Sequence, residues 1–314
     1  MRTLLLIAAS TTLLWPSDCS RNSIGFEPLN TPAAPSYKGS RLGLYPNGSN
    51  TRPAAFEARG RAQAAQVRPR DAAGAIDDAA GRIVLLSIGM SNTTQEFSAF
   101  QQLAARDKTI NPRVVLVDGA QGGWTAARIL SDSATYFATV DQRMAASHVA
   151  SPQVQAAWIK LADARPTAPF PDHVNILLNE TRQILGLLRA RYPNLRLVYL
   201  SSRIYAGYAS TPLNPEPFAY ETAFAVKWLV EQQINGDAGL PAVPWLAWGP
   251  YLWSDGTRTR HDGLAWACSD FANDGTHPGN EGRAKVAQML LDFFKTDTTT
   301  RSWFVTGSPA AQRP

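Results

Sequence analysis

The chain has 314 residues, 45% of them hydrophobic and 10% aromatic, so it can bury a large core and disorder throughout is excluded. Its formal net charge is +5. Residues 20–80 supply three of these charges, and their arginines are spread out rather than clustered. Because no basic patch is visible, we do not expect a nucleic-acid or other polyanionic partner.

The N-terminus has the pattern of a signal peptide. Arg2 is followed by an uncharged, mainly apolar run from Leu4 to Trp15, which is too short to span a bilayer comfortably but suits the central region of a signal peptide. We therefore expect residues 1–19 to be a signal peptide, the protein to be exported to the periplasm or the extracellular space, and the mature chain to have no integral membrane segment. The alternative is an apolar N-terminus of a cytosolic protein.

Two cysteines, Cys19 and Cys268, are too few for a disulfide framework or a cysteine-based metal site. Lipidation of Cys19 is not expected, because residues 16–18 (Pro-Ser-Asp) lack the small apolar character that precedes a lipidated cysteine. Cys268 is expected to be a buried free thiol, which behaves as a small hydrophobic residue. A place in the lining of a pocket is the alternative.

Composition divides the rest of the chain into three parts. Residues 20–80 are rich in Pro, Gly, Ala, Ser and Arg, with few apolar residues at either structural period, and are predicted to form a poorly ordered linker. Residues 81–300 have the patterning of a folded domain. Residues 301–314 are assigned to a C-terminal tail.

The domain alternates apolar strands with helices. Short, continuous apolar runs predict strands buried on both faces at 82–89, 113–118, 154–161, 195–201 and, more weakly, 243–248. Helices are predicted near 95–106, 124–130, 172–192, 217–234 and 279–295. This alternation predicts an α/β fold with a parallel sheet between helical layers, whose ligand site lies at the carboxyl ends of the strands.

A serine follows the first predicted strand. Ser91 precedes Asn92, Thr93 and Thr94 at the start of a helix. At such a turn a serine can present its hydroxyl outward, while backbone N–H groups at the helix N-terminus face a developing oxyanion. Ser91 is therefore the candidate nucleophile. The alternative is that it only caps the helix, a role that either threonine could also fill.

A second candidate element, Asp274-Gly275-Thr276-His277, precedes the last predicted helix. An Asp three residues before a His, in a turn that contains glycine, can place its carboxylate against one ring nitrogen and leave the other to face a serine. His277 is thus the candidate general base, and Asp274 is the carboxylate that orients it.

The loop after the second predicted strand contains Gly119, Gly122 and Gly123. Such glycines let the backbone approach a ligand and can leave an N–H group free for an oxyanion. The loop does not fit a phosphate cradle, since no lysine follows it. A simple tight turn is the alternative.

Together these elements resemble the SGNH hydrolases, the superfamily that includes GDSL esterases and lipases and carbohydrate acetylesterases. Gly89-Met90-Ser91-Asn92 is similar to the Gly-Gln-Ser-Asn form of the first block in sialate and xylan acetylesterases. Gly122-Gly123-Trp124-Thr125 is similar to the second block, and the Asp-x-x-His element matches the last.

The resemblance implies a three-layer domain with a five-stranded parallel sheet in flavodoxin-like order. It also implies that the N–H groups of Ser91 and Gly123, or Gly122 in place of Gly123, form an oxyanion hole. A serine-esterase mechanism of this kind needs no metal and no cofactor.

The third block departs from the superfamily pattern. The resemblance implies a Gly-x-Asn-Asp-like turn after the third strand, whose asparagine donates to the oxyanion, but residues 161–165 are Leu-Ala-Asp-Ala-Arg. Lys160 or Asn92 could supply a replacement donor. A solvated charge is the alternative for Lys160.

Arg203 lies at the carboxyl edge of the fourth predicted strand. It could orient an anionic or polyhydroxyl substrate there, or it could form an ion pair with Glu216 or Glu221. The aromatic residues of the late loops could stack on sugars, but most large aromatic side chains fill cores.

The expected function is that of an exported serine esterase. The resemblance implies short acyl groups, acetyl above all, on a carbohydrate, so that the partner is a small-molecule or polysaccharide ester. One alternative is a carbohydrate-binding protein that kept the fold and lost catalysis, which the missing third-block asparagine favours. Another is a lipase- or thioesterase-like enzyme that acts on longer acyl chains.

Overall fold

The architecture comes from a computed structural model, which describes residues 16–33, 35–241 and 244–307. Most of the predicted signal peptide, residues 1–15, lies outside the described residues. The first residue of the weakest predicted strand, Val243, and residues 308–314 of the predicted tail also lie outside them.

A small N-terminal unit precedes the main sheet. It contains two short antiparallel strands, β1 (Ser36–Tyr37) and β2 (Ser40–Arg41), and one helix, α1 (Ala54–Ala64).

The main sheet has five parallel strands. They are β3 (Ile83–Gly89), β4 (Val114–Asp118), β5 (Val154–Lys160), β6 (Leu197–Leu200) and β7 (Trp245–Trp248). The spatial order β4-β3-β5-β6-β7 is the flavodoxin-like order, in which the chain changes direction across the sheet beside its first strand. The predicted five-stranded parallel sheet and its order are confirmed.

Seven helices of the described chain follow the first strand of this sheet. They are α2 (Ser91–Ala104), α3 (Ala126–Ser131), α4 (Ser133–Ala146), α5 (Asp172–Arg191), α6 (Phe218–Asn235), α7 (Asn280–Thr296) and α8 (Arg301–Phe304). The sequence prediction missed α4, although its buried residues Tyr136, Val140 and Met144 recur at a helical spacing.

Aromatic contacts show which helices cover one face of the sheet. Trp158 of β5 stacks on Phe97 of α2 with ring centroids 6.0 Å apart, and Tyr199 of β6 contacts Phe294 of α7 at 5.6 Å. Helices α5 and α6 pack together in a second layer. Every residue of β3 and β5 is buried, which explains why these strands have continuous apolar runs rather than alternating ones.

The prediction of a poorly ordered linker at residues 20–80 is wrong for its described part. Leu29, Leu42 and Phe56 are each at most 1% exposed, and Phe56 of α1 contacts Trp245 of β7 with ring centroids 5.0 Å apart. The segment wraps over the domain and inserts isolated apolar side chains. Such anchors have no period along the sequence, so a search for periodicity does not find them.

The predicted boundary at residue 300 is also wrong. Trp303 and Phe304 of α8 are at most 2% exposed, and the Phe304 ring lies 5.2 Å from that of Phe294. The folded domain therefore extends at least to α8.

Phe56→Ala should lower the free energy of unfolding by roughly 3–5 kcal/mol, since it removes a buried aromatic ring and leaves a cavity. Urea unfolding measures this change. Arg61→Ala, on the exposed side of the same helix, is the matched control and should stay within about 0.5 kcal/mol of the wild type. If Phe56→Ala were as stable as the wild type, residues 20–80 would again be interpreted as a poorly ordered linker.

Cys268 is not a free thiol, contrary to the sequence prediction. It forms a disulfide with Cys19, which lies 249 positions away in sequence, and the two Cα atoms are 5.4 Å apart. Nothing local in the sequence indicates this pairing, because only the fold brings the two ends together. Removal of residues 1–19 would delete Cys19, so this bond is not compatible with the predicted boundary of the signal peptide at residue 19.

Reduction of this disulfide should lower the free energy of unfolding by about 2–4 kcal/mol, because the bond restricts the unfolded chain. Thermal unfolding with and without a reductant measures the effect. A Cys19→Ser/Cys268→Ser double variant should be less stable than the oxidised wild type and insensitive to reductant. A wild type that unfolds at the same temperature after its thiols are shown to be reduced would contradict this expectation.

Candidate active site

Ser91 is placed by the turn between β3 and α2. Gly89 ends the strand and Ser91 is the first residue of the helix. A side chain at position 89 is excluded, because a Cβ atom there would lie 2.3 Å from the Lys160 carbonyl oxygen. Gly89 therefore allows β3 to lie close to β5 and the chain to turn sharply into α2. Ser91 is left partly exposed at the carboxyl edge of the sheet.

The structure brings together the serine, histidine and aspartate that the sequence singled out. Ser91 Oγ lies 2.8 Å from His277 Nε2, and His277 Nδ1 lies 2.5 Å from Asp274 Oδ2. Both contacts have hydrogen-bond geometry. A neutral ring that donates from Nδ1 to the carboxylate has its Nε2 lone pair directed at the serine, which is the arrangement of a nucleophile and its general base.

Ser91 does not cap α2. The residue at the capping position is Met90, which makes no side-chain hydrogen bond to the helix. Thr93 Oγ1 donates to the Lys160 carbonyl at 2.8 Å and Thr94 donates to the Asp118 carboxylate, so neither threonine caps the helix either. The first N–H groups of a helix have no partner within it, and that of Ser91 lies at this open end.

Asp274 is held as a carboxylate. Burial by itself would raise its pKa, but hydrogen bonds from the His277 ring and backbone and from the Thr276 N–H outweigh burial and lower the pKa to about 2. Its Oδ1 accepts from the N–H groups of Thr276 at 3.0 Å and His277 at 2.9 Å. The aspartate therefore fixes both the ring and the backbone of the histidine.

Gly275 lets this turn approach the neighbouring loop. Its φ is 62°, in the left-handed region that favours glycine, and a Cβ atom at this position would lie 2.0 Å from the Tyr208 carbonyl oxygen. The Asp274 carbonyl also accepts from the Ser210 N–H at 3.2 Å. The turn is thus packed against the loop that follows β6.

The glycine loop lies beside the turn that carries Ser91. Gln121 N donates to the Gly89 carbonyl at 3.0 Å, and Ala126 N lies 3.4 Å from the Ala162 carbonyl. Gly122 and Gly123, between these two contacts, are both exposed, and Gly123 has a φ of 75°. The loop therefore spans the ends of β3 and β5, where an oxyanion hole for Ser91 would have to lie.

Lys160 is not a replacement oxyanion donor. Its side chain is fully buried and pairs with both carboxylate oxygens of Glu96 in α2. Burial lowers the pKa of Lys160 to about 8 although Glu96 opposes that shift, and burial raises the pKa of Glu96. The sequence prediction missed Glu96, since a carboxylate near the start of a helix is ordinarily solvent-exposed.

Asn92 and Arg203 do not face a substrate either. Asn92 is 1% exposed, and its Nδ2 donates to the Thr276 carbonyl at 2.9 Å. Arg203 is also 1% exposed, and its Nη2 donates to the same carbonyl at 3.3 Å. Both predicted substrate-binding residues instead contact the backbone just before His277.

The expected partners of Arg203 are engaged elsewhere. Glu221 accepts hydrogen bonds from Tyr37, Lys38 and His173. Glu216 accepts from the Ala206 N–H at 2.9 Å and Trp253 Nε1 at 2.8 Å. The ion pair considered from the sequence is therefore absent from the described residues.

The aromatic residues of the late loops fill the core rather than a substrate surface. Trp245 and Trp248 lie in β7 rather than in a loop. Five of these aromatic side chains are at most 5% exposed: Trp245, Trp248, Tyr251, Trp253 and Trp266. Stacking of sugars on these rings is thus not supported.

In the described ranges 16–33, 35–241 and 244–307, no group of three or more His, Cys, Asp or Glu side chains is arranged to hold a metal ion. None of the helices in these ranges is both long enough and apolar enough to cross a membrane.

No family model and no curated protein matches the sequence. Among solved structures, an acetylxylan esterase from Geobacillus stearothermophilus is 14% identical, with 69% of this chain and 95% of that chain covered and a TM-score of 0.40. TesA is 16% identical, with 68% and 98% covered and a TM-score of 0.34. An extracellular lipase from Streptomyces rimosus is 11% identical, with 67% and 99% covered and a TM-score of 0.33. Since these scores are below 0.5, the proposed function rests on the site geometry and the sequence blocks.

Proposed function

We propose that the chain is a serine esterase that hydrolyses carboxylic esters. The observation that carries this proposal is the hydrogen-bond chain from Ser91 through His277 to Asp274. These residues come from two distant parts of the sequence, yet both contacts form at the carboxyl edge of the sheet, where this fold class places its ligand sites. A binding protein that had lost catalysis would have no need to keep all three.

In the proposed mechanism, Ser91 Oγ attacks the ester carbonyl carbon while its proton passes to His277 Nε2. Asp274 keeps the proton on Nδ1 and stabilises the imidazolium. The tetrahedral intermediate then collapses, the C–O bond to the alcohol breaks, and His277 gives its proton to the leaving oxygen. Water, activated by the same ring, attacks the acyl-enzyme and releases the acid and free Ser91.

The oxyanion hole is proposed to have two backbone donors, the N–H groups of Ser91 and Gly123. Ser91 supplies its N–H from the positive end of α2. Gly123 is preferred to Gly122 because its backbone has the left-handed conformation. It is also the glycine nearer to Thr125, and the second block of the superfamily has its oxyanion glycine ahead of a threonine. Lys160 and Asn92 are not included as donors, since both side chains are committed to other partners.

A short acyl group on a carbohydrate is the proposed substrate. The Gly-x-Ser-Asn first block resembles that of carbohydrate acetylesterases, and the late aromatic side chains are buried in the core instead of lining an acyl channel. A longer acyl chain remains the second candidate, favoured by the breadth of the superfamily that the chain resembles.

Export is proposed along with this activity. The uncharged run after Arg2 has the pattern of a signal peptide, and the Cys19–Cys268 disulfide is of a kind that persists in the periplasm or outside the cell and is rare in the cytosol. The same bond uses the thiol that a lipid anchor at Cys19 would need.

A fluorophosphonate probe and a series of p-nitrophenyl esters test the proposal. The probe should label the wild type at Ser91, and turnover should be fastest for acetyl and fall as the acyl chain lengthens. Preference for the longer chains would favour a lipase- or thioesterase-like substrate. Absence of both labelling and hydrolysis would favour a non-catalytic binding protein.

A further inference from the structure

The Thr276 carbonyl, next to the proposed active site, accepts hydrogen bonds from two side chains. Asn92, from the first turn of α2, and Arg203, from the loop after β6, both donate to it. Thr276 is fully buried, so water does not supply these hydrogen bonds. Two elements that are far apart in sequence therefore hold one backbone oxygen.

This oxygen belongs to the peptide group that joins Thr276 to His277. The N–H of the same peptide group donates to Asp274 Oδ1 at 2.9 Å. The peptide plane is thus fixed at its oxygen by Asn92 and Arg203 and at its hydrogen by Asp274. Because a peptide group is rigid and planar, fixing both ends sets the position of the His277 Cα atom, and the contact of Nδ1 with Asp274 then directs the ring.

The charge of Arg203 is unusual for a structural residue. Its guanidinium is buried, and its Nε has no hydrogen-bond partner among the described residues. Burying an incompletely paired cation is unfavourable for stability, and an apolar side chain of similar volume would avoid that penalty. A role at the neighbouring site explains why a cation is placed there.

Charged groups face this region from several elements. Glu96 of α2, Glu216 before α6 and Asp274 of the histidine turn attract Arg203, and Lys160 of β5 pairs with Glu96. Asp274 is the one of these three carboxylates that belongs to the proposed site. Its attraction to Arg203 favours the carboxylate that holds the His277 ring.

We propose that Asn92 and Arg203 are positioning residues, which hold the Thr276–His277 peptide group so that His277 Nε2 stays directed at Ser91. The proposal deepens the proposed esterase function and rests on it. Neither residue touches the substrate, and each acts through His277.

The main test is the kinetics of Asn92→Ala and Arg203→Met with p-nitrophenyl acetate. We expect kcat to fall by about 10- to 100-fold, since small errors in the placement of a catalytic group have effects of that size. KM should change by less than about twofold, because neither side chain contacts the ester.

Arg203→Lys is the variant to measure if Arg203→Met does not fold. Lysine keeps a charged donor that can bond to the Thr276 carbonyl, the contact that Arg203 makes at 3.3 Å, so kcat should be partly restored relative to Arg203→Met.

Matched controls come from residues with the same chemistry elsewhere. Asn214 is a buried asparagine whose Nδ2 donates to the Asp163 carbonyl at 3.0 Å. Arg260 is a buried arginine that donates to the Tyr251 and Trp253 carbonyls. Asn214→Ala and Arg260→Met should keep kcat near that of the wild type. Equal losses in the controls, or wild-type kcat in both test variants, would overturn the proposal.

A spectroscopic readout separates this proposal from the esterase function itself. In a Ser91→Ala background, the NMR resonance of the His277 Nδ1 proton reports the bond to Asp274 without any turnover. It should shift or broaden in Asn92→Ala and Arg203→Met and stay unchanged in the controls. A wild type that hydrolyses no ester contradicts the proposed function, whereas an unchanged resonance in both test variants contradicts the positioning role.

Discussion

Ser91→Ala should reduce kcat for a short p-nitrophenyl ester by about 10⁶-fold, the size of effect that loss of the nucleophile has in another serine hydrolase triad. The hydroxyl group lies 2.8 Å from His277 Nε2, and without it no acyl-enzyme can form. Labelling by a fluorophosphonate should also disappear.

The same variant should stay folded. Ser91 is partly exposed and does not cap α2, so its loss should change the free energy of unfolding by no more than about 0.5 kcal/mol. Ser98→Ala, on the same helix, is a suitable control and should keep both turnover and labelling. Wild-type turnover in the Ser91 variant would show that another residue is the nucleophile.

Asp274→Asn should lower kcat by about 10⁴-fold, as the equivalent change does in a related triad, because an amide can hold the ring in the wrong tautomer and cannot stabilise the imidazolium. His277→Ala should be at least as damaging. Both variants are measured with the same ester, and circular dichroism checks that they remain folded.

The pH dependence of the wild type gives an independent check. The pKa of Asp274 is lowered to about 2, so its carboxylate stays ionised throughout an ordinary assay range, and its protonation cannot cause an acid limb there. The rate should instead rise with pH in a single step as the imidazolium loses its proton, since only the neutral ring can act as a base. A flat profile from about pH 5 to 8 with a slow acyl donor, where a histidine base normally titrates, would mean that Asp274 and His277 only shape the turn before α7.

Several features of the protein could be predicted from the sequence because they depend on neighbouring residues. Continuous apolar runs mark the strands of the parallel sheet, since such strands are buried on both faces. The Asp274–His277 contact joins residues three apart in one turn, and Ser91 lies directly after a strand. In each case the physical cause acts within a few residues of chain.

Only the tertiary structure decided how distant parts of the chain meet. The disulfide joins residues 249 positions apart, and Phe56 finds its place against Trp245 only once the sheet exists. The sequence places three polar side chains at the carboxyl edge of the sheet, those of Lys160, Asn92 and Arg203. It does not determine the direction in which these side chains point. A buried charge or amide turns towards whichever partner the fold brings within hydrogen-bond distance, here Glu96 and the Thr276 carbonyl, because leaving it unpaired away from water is strongly unfavourable.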